Sequence, residues 1–456
     1  MTQIWKIPAM LGRRVLTFGL MLHIALLTSC EKAADQPVPE GPSVLVVVMG
    51  SFRADHIGQG EGATPFLDEL VSEGVSYTNA IANSSARSES LDSLLNGVLP
   101  SVAERDSLSG AALLAGRFSK AGYRTGYFAL NDRSDEQFSP RSFGESDAGL
   151  AIDGELIESA VAFAGDKPSH PYFACLYIPR NQSVFGATSG LPEVAVEGAV
   201  SRETLRNRYE SALTKTDSLV KSLIEGLRAE GALDDTIVVV TADHGEEILE
   251  HASVGRGWTL YEESIRVPLV FWSPDRLNPA LIDQRVSLVD VAPSLAALTE
   301  LGAAKTSGDT LFAKEAETWE PVALPRRTVI SELLDGGNLQ RSMSVDGWKY
   351  IASYRWVTPG ERLTMAGQAH YEEENAEAYG VWGRPLRDEL YDLNVDTGEM
   401  DNLFESNRDQ ARLFRKIAYY YQEECGGTYF DLGEGSNADE VAPESTMEEL
   451  ESLGYL

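Results

Sequence analysis

Two hydrophobic periodicities alternate along most of this chain. Val44 to Val48 is an unbroken apolar run, β-branched except for Leu45. A run without polar alternation predicts a strand covered on both faces, as in a parallel sheet. Tyr172–Ile178, Ile237–Val240 and Val267–Trp272 have the same character. Helical patterns stand between them. Thr64-Pro65 reads as an N-cap followed by proline at the first helical position. Phe66, Leu67, Leu70 and Val71 then form one apolar face, and Gly74 closes it. From Arg202 to Glu230 apolar residues recur at helical spacing, through Leu205, Tyr209, Leu213, Val220 and Leu227, until Gly231 stops them. Val291–Leu298 predicts a further helix. This alternation predicts an α/β fold with a doubly covered sheet. Beyond about residue 325 the pattern changes. Short strands at Thr328–Ser331, Arg341–Ser344, Lys349–Ser353 and Leu390–Leu393, with one late helix near Arg408–Tyr421, predict a small antiparallel sheet with a helix.

Composition narrows the class. Of 456 residues, 43% are hydrophobic and 24% charged, which fits a sizeable core and excludes a disordered or multi-spanning chain. Lys and Arg number 38 against 70 Asp and Glu, a net charge of −32. So acidic a surface repels phosphate backbones, so no nucleic-acid partner is expected. Three cysteines exclude a disulfide framework and a cysteine zinc cluster. Cys175 falls inside an apolar strand and reads as a buried, inert thiol.

The N-terminal stretch differs from the rest. Lys6, Arg13 and Arg14 precede a short apolar run from Val15 to Leu27, the pattern of a secretory signal rather than a membrane span. Leu27-Thr28-Ser29-Cys30 resembles the bacterial lipoprotein box, which implies lipidation at Cys30. The expected organisation is a signal peptide over 1–29, a Pro-rich tether over 30–42, a large domain over 43–325 and a C-terminal subdomain over 326–456. The expected location is outside the cytoplasm, anchored to the membrane by Cys30, with the outer membrane favoured because Glu31 rather than Asp follows the cysteine.

Several segments in order resemble the sulfatase family of the alkaline-phosphatase-like superfamily. They are VLVVVMGSFRADHIG from Val44, SSARSESLDSLLNGVLP from Ser84, DTIVVVTADHGEE from Asp235 and TLYEESIRVP from Thr259. GYRT from Gly122, SLVDVAPS from Ser287, ELYDL from Glu389 and the closing LGYL from Leu453 also fit. The resemblance implies a large mixed, mostly parallel sheet with helices on both faces and a small C-terminal antiparallel sheet. It also implies a nucleophile, a Cys or Ser converted to formylglycine, opening a C/S-x-P-x-R motif at a fixed distance before S-L-L-x-G. Counted back from Ser93-Leu94-Leu95-Asn96-Gly97, the nucleophile position holds Arg87, the Pro position Glu89 and the Arg position Leu91. Arginine is always protonated and cannot attack.

The family's metal ligands are similarly altered. An acidic pair after the first strand is replaced by Gly50 and Ser51, and only Asp243-His244 survives of the second pair. A hard divalent cation wants six or more oxygens. No cofactor is therefore expected, with Ca²⁺ or Mg²⁺ needed only if the site is active. Asp55 and His56 would need a long reach to substitute as ligands. Asp243-His244-Gly245 has a bland alternative, a strand-to-helix turn needing a cap and a flexible glycine. Glu262, Arg266 and Asp290 read as structural, and Arg53 as the partner of a nearby acid. Arg180 and Arg256 stand where the family has histidine or lysine, so Arg87, Arg180, His244 and Arg256 are the candidates for holding an anion. Arg87 is expected to enter the old metal site and pair directly with Asp243. The function expected is an inactive sulfatase relative that binds a sulfated or anionic glycan. Two alternatives stay open: an active sulfuric-ester hydrolase with an unconventional site, and a structural or partner-binding lipoprotein.

Overall fold

The computed structural model describes residues 38–424, apart from 59–61, 107–112, 131–142, 151, 167–169, 180–200, 303–305, 317, 336–337, 358–380 and 383–386. Cys30, Cys425, the closing LGYL and Arg180 lie outside the described residues. The first large sheet is built from β1 (Ser43–Met49), β2 (Val75–Ile81), β3 (Arg124–Leu130), β4 (Glu145–Leu150), β5 (Tyr172–Ile178), β6 (Thr236–Ala242), β9 (Arg266–Trp272), β10 (Ala280–Ile282) and β11 (Val286–Ser287). Its order is β10-β2-β9-β6-β1-β5-β3-β4, with β11 also on β2. β1 pairs in parallel with β5 and β6, Val46 lying opposite both Cys175 and Val239. β9 runs antiparallel to β6 and β2, so the sheet is mixed. Val44 to Met49 are each at most 2% exposed, which requires cover on both faces.

The helices that cover and flank it are α1 (Pro65–Glu73), α2 (Arg87–Asn96), α3 (Pro100–Asp106), α4 (Leu114–Lys120), α5 (Asp153–Gly165), α6 (Arg202–Ala229), the single turn α7 (Glu262–Ile265) and α8 (Val291–Leu298). Two helix ends differ from the sequence expectation. Thr64 does not cap α1: its hydroxyl donates to the His56 carbonyl at 3.0 Å. The cap comes from α6 instead, where buried Asp217 accepts from the Leu67 N–H at 2.8 Å and the Phe66 N–H at 3.3 Å. A carboxylate from a distant helix answers the orphan donors of the first turn. No helix follows Asp243-His244-Gly245 either. The chain runs into a two-strand ribbon, β7 (Glu247–Ile248) and β8 (Val254–Gly255). Gly245 is required for close approach: a Cβ there would stand 2.0 Å from the Glu263 carbonyl.

β12 (Phe312–Glu315) and β13 (Thr318–Pro321) form a hairpin. The second sheet is antiparallel, β14 (Val329–Asp335), β15 (Asn338–Val345), β16 (Trp348–Val357) and β18 (Arg387–Asp392), with β17 (Val381–Trp382) on the end of β16. Phe414 and Ile417 of α9 (Arg408–Glu424) pack with Tyr350 and Leu390 in its core. The two sheets are stitched by buried polar contacts. Asn83, just past β2, donates to the Ile330 carbonyl at 2.8 Å and accepts from the Glu332 N–H at 2.7 Å. Glu332 is in turn paired with Arg341, both at most 3% exposed.

Candidate functional site

The carboxyl ends of β1, β5 and β6 converge with the first turn of α2. Asp243 follows β6 and is fully buried. Its Oδ1 accepts from the Ser51 N–H at 3.0 Å and from the His244 N–H at 2.8 Å. Its Oδ2 accepts from the Tyr177 hydroxyl at 2.9 Å. Burial pushes this carboxyl up, but His244, Arg256, the Ser51 N–H and Arg87 outweigh it and hold the group below the ordinary carboxylate range.

Arg87 does reach this pocket, but not to Asp243. Its guanidinium carbon stands over the Tyr177 ring, 3.9 Å from the centroid. Arginine and carboxylate therefore act on opposite parts of one tyrosine, the ring face and the hydroxyl. The direct pair expected from the sequence is corrected accordingly: two backbone N–H groups on Oδ1 and the Tyr177 O–H on Oδ2 already occupy the carboxylate. The two other altered motif positions have structural work. Glu89 accepts from the Ser84 hydroxyl at 2.6 Å, and Leu91 is completely buried in the core. Ser90 donates to the Asp243 carbonyl.

His244 is fixed by its neighbours. Nδ1 is 2.7 Å from the Gly245 carbonyl, which can only accept. Nε2 is 3.1 Å from Nη1 of Arg256, which can only donate. Nδ1 therefore carries a proton, while Nε2 stands between that guanidinium and Oδ2 of Asp243, 3.4 Å away. Arg256 follows β8 and is half-buried, whereas Asp243 and His244 are sealed.

The loop after β1 has a defined shape. Ser51 adopts φ 57, in the left-handed region. The Tyr209 hydroxyl from α6 holds it, donating to the Ser51 carbonyl at 2.9 Å and accepting from the Arg53 N–H at 2.9 Å. Arg53 pairs with Asp55 at 2.7 Å and Glu250 at 2.8 Å, the nearby acids its sequence reading called for. Asp55 and His56 belong to this ion-pair group and are 2.8 Å apart. Glu262 and Asp290 carry structural contacts, to Arg285 and Lys349 and to Arg327 respectively. Arg266 lines a cleft of about 1020 Å³ between the sheets, which Arg87, Asp243, His244 and Arg256 do not line.

Tyr177 and Tyr209 were not among the residues singled out from the sequence. The available signal was a tyrosine inside an otherwise apolar, fully buried strand or helix face, whose hydroxyl must find a partner.

The residues present do not compose a divalent-cation cage. Gly50 has no side chain, Ser51 offers a neutral hydroxyl, the Asp243 oxygens are engaged, and a guanidinium stands at Nε2 of His244. Among the described residues, no group of three or more His, Cys, Asp or Glu is placed to hold a metal ion.

The sequence model of the sulfatase family matches residues 42–301. A chicken (Gallus gallus) arylsulfatase K is 30% identical over 227 residues, which cover 47% of this chain and 37% of that protein. A Δ4,5-hexuronate-2-O-sulfatase of Bacteroides thetaiotaomicron is 22% identical, covering 83% of this chain and 87% of its own. Among solved structures, a 2-O GAG sulfatase superposes with a TM-score of 0.65 at 18% identity, covering 85% of this chain and 93% of that one. This match corrects the expectation that no cofactor is involved: sulfatase-family relatives normally use Ca²⁺ or Mg²⁺. The family's habit and the donor set around Asp243 disagree.

Proposed function

The chain belongs to the sulfatase family, and we propose that this member binds the anionic group of a sulfated glycan without hydrolysing it. The observation that carries the reading is Arg87. It opens α2, where the resemblance places the nucleophile, and it is charged at every accessible pH. Around it the groups that hydrolysis would call on are engaged. Ser84 donates to Glu89, Ser90 donates to a carbonyl, and both ring nitrogens of His244 are in use. Two guanidiniums, Arg87 and Arg256, act on the Asp243 carboxylate inside a strongly acidic protein. A sulfate ester is the complementary charge, and the relatives' names, hexuronate and GAG sulfatases, support a glycan as its carrier.

Calorimetric titration of the purified chain with sodium sulfate and with a sulfated uronate disaccharide tests this. One charge-assisted contact is worth about 2 kcal/mol, so Arg256→Ala and Arg87→Ala should each weaken binding roughly 30-fold. Unchanged binding in both variants contradicts the reading.

A second reading, an active sulfuric-ester hydrolase, has one observation in its favour: the Ser85 hydroxyl, two residues before Arg87, is buried with no hydrogen-bond partner among the described residues. Sulfate release that disappears in Ser85→Ala would select it. We further propose that Cys30 carries a lipid that tethers the protein to a membrane, on the strength of its lipoprotein-like surroundings. Fatty-acid labelling that is lost in Cys30→Ser tests that part.

A further inference from the structure

His251 occupies the turn of the β7–β8 ribbon. Leu249 and Ala252 on either side adopt φ 65 and 60, costing roughly 1 kcal/mol each, so the turn needs something to hold it. Nδ1 of His251 lies 2.7 Å from Oε1 of Glu263 in α7. Nε2 lies 3.1 Å from the backbone carbonyl of Glu399, in the loop after β18. Both partners are acceptors. A neutral imidazole has one N–H and would set a lone pair against an oxygen on one side; only the imidazolium satisfies both. The ring is stacked on Tyr261 with centroids 3.6 Å apart, and its side chain is 12% exposed.

The surroundings are charged on every side. On its own turn, Glu250 is engaged by Arg53 and Arg202. From α7 come Glu263 and Glu262. From the C-terminal sheet come Lys349, completely buried and 2.8 Å from Glu399 and 3.0 Å from Glu262, while Arg285 reaches Glu262 at 2.7 Å. Behind Tyr261, Glu389 accepts from the Tyr261 hydroxyl at 2.8 Å and the Tyr391 hydroxyl at 2.6 Å, and pairs with Arg387 at 2.8 Å. Glu399 also accepts from the Glu262 N–H at 2.6 Å. This seam is where the second sheet meets the turn that continues into Arg256.

We propose that His251 is a proton-operated clamp: its protonated ring fastens the Glu399 loop of the second sheet to the β7–β8 turn, and loss of that proton releases the loop. Burial would lower the ring's pKa, but the Glu263 hydrogen bond, the Glu399 carbonyl and both neighbouring charges outweigh it and push it up to about 9. Burial, opposed by Lys349 and reinforced by Glu262, pushes Glu399 up to about 7. Both groups hold their protons more tightly folded than unfolded. Their contributions are complete below the ordinary Glu and His values, and are lost as pH rises through about 7 for Glu399 and about 9 for His251. The seam is tightest in mild acid and loosens in two steps toward alkali. The clamp does not depend on what the Asp243 pocket binds.

Hydrogen exchange of the full chain, followed in peptides spanning 387–403 between pH 6 and 9.5 and corrected for intrinsic rates, reads the release. Protection should fall about tenfold or more in the wild type. In His251→Gln it should already be low at pH 6 and should lack the upper step. Glu263→Gln keeps the ring but removes its carboxylate, and should move the upper step toward neutral pH. The His251 Cε1–H proton resonance in the wild type should titrate with a midpoint well above 7, which keeps the test decisive if His251→Gln fails to fold. A midpoint at or below 7, or protection that falls identically in wild type and His251→Gln, overturns the proposal.

Discussion

Tyr177→Phe isolates one hydrogen bond at the centre of the site. The substitution deletes a hydroxyl that is 2.9 Å from Asp243 Oδ2 and leaves the aromatic ring under Arg87 in place. Tyr177 is 1% exposed and Asp243 fully buried, so water does not replace the lost donor. A hydrogen bond to a buried charged group contributes about 1.5–3 kcal/mol, and about 2 kcal/mol is the expected loss. With an unfolding entropy of roughly 0.9 kcal/mol/K for a chain of this size, the thermal midpoint should drop by about 2 °C. Because Asp243 is held below its ordinary pKa, its stabilising contribution is present at neutral pH and is lost only as pH falls through the depressed folded value. The assay therefore belongs at pH 7, by urea denaturation of wild type, Tyr177→Phe, Asp243→Asn and the double variant. The cycle should return a coupling of about 2 kcal/mol between the two positions. A Tyr177→Phe loss of the same size in the Asp243→Asn background would refute the account, since the hydroxyl would then be working on something other than the carboxylate.

Three other outcomes follow from contacts outside that pair. Asp217→Ala should cost about 1–2 kcal/mol in urea denaturation, because α1 loses a cap supplied from α6, while Asp217→Asn should cost less. Gly245→Ala should destabilise by about 3 kcal/mol or prevent folding, since its Cβ would stand 2.0 Å from the Glu263 carbonyl; a near-neutral result by the same denaturation would mean the loop shifts freely. The Cys175 thiol is fully buried and burial raises its pKa, so peptide mapping should find it unmodified by maleimide in the native protein and labelled after unfolding.

The strands of the central sheet were legible because their apolar runs are set by burial on both faces, and Tyr172–Ile178 coincides with its run end to end. Pattern alone could not show that β9 runs antiparallel, since a doubly buried strand carries no sign of direction. The edge strand β4 escaped for a related reason: its segment, ESDAGL, has no periodic apolar face. The candidate site was legible only where motif spacing fixed a position. Arg87, Asp243, His244 and Arg256 do meet, because they hang on the ends of adjacent elements. Their pairing was not readable. Which acceptor a guanidinium chooses depends on Tyr177, which in sequence is one more apolar residue of β5, and on two backbone N–H groups that no side-chain motif records. Asp217 as the cap of α1 was hidden in the same way, being far along the chain from the helix it serves.

In the proposed function, the residues around Arg87 hold an anion and do not break a sulfate ester. The most direct test is release of inorganic sulfate from a sulfated uronate disaccharide by the purified chain, followed by ion chromatography in buffer supplied with both Ca²⁺ and Mg²⁺. Release no faster than in the absence of protein is expected, at ligand concentrations where binding is saturated. Turnover that is carried by the wild type and abolished in Asp243→Asn would contradict it.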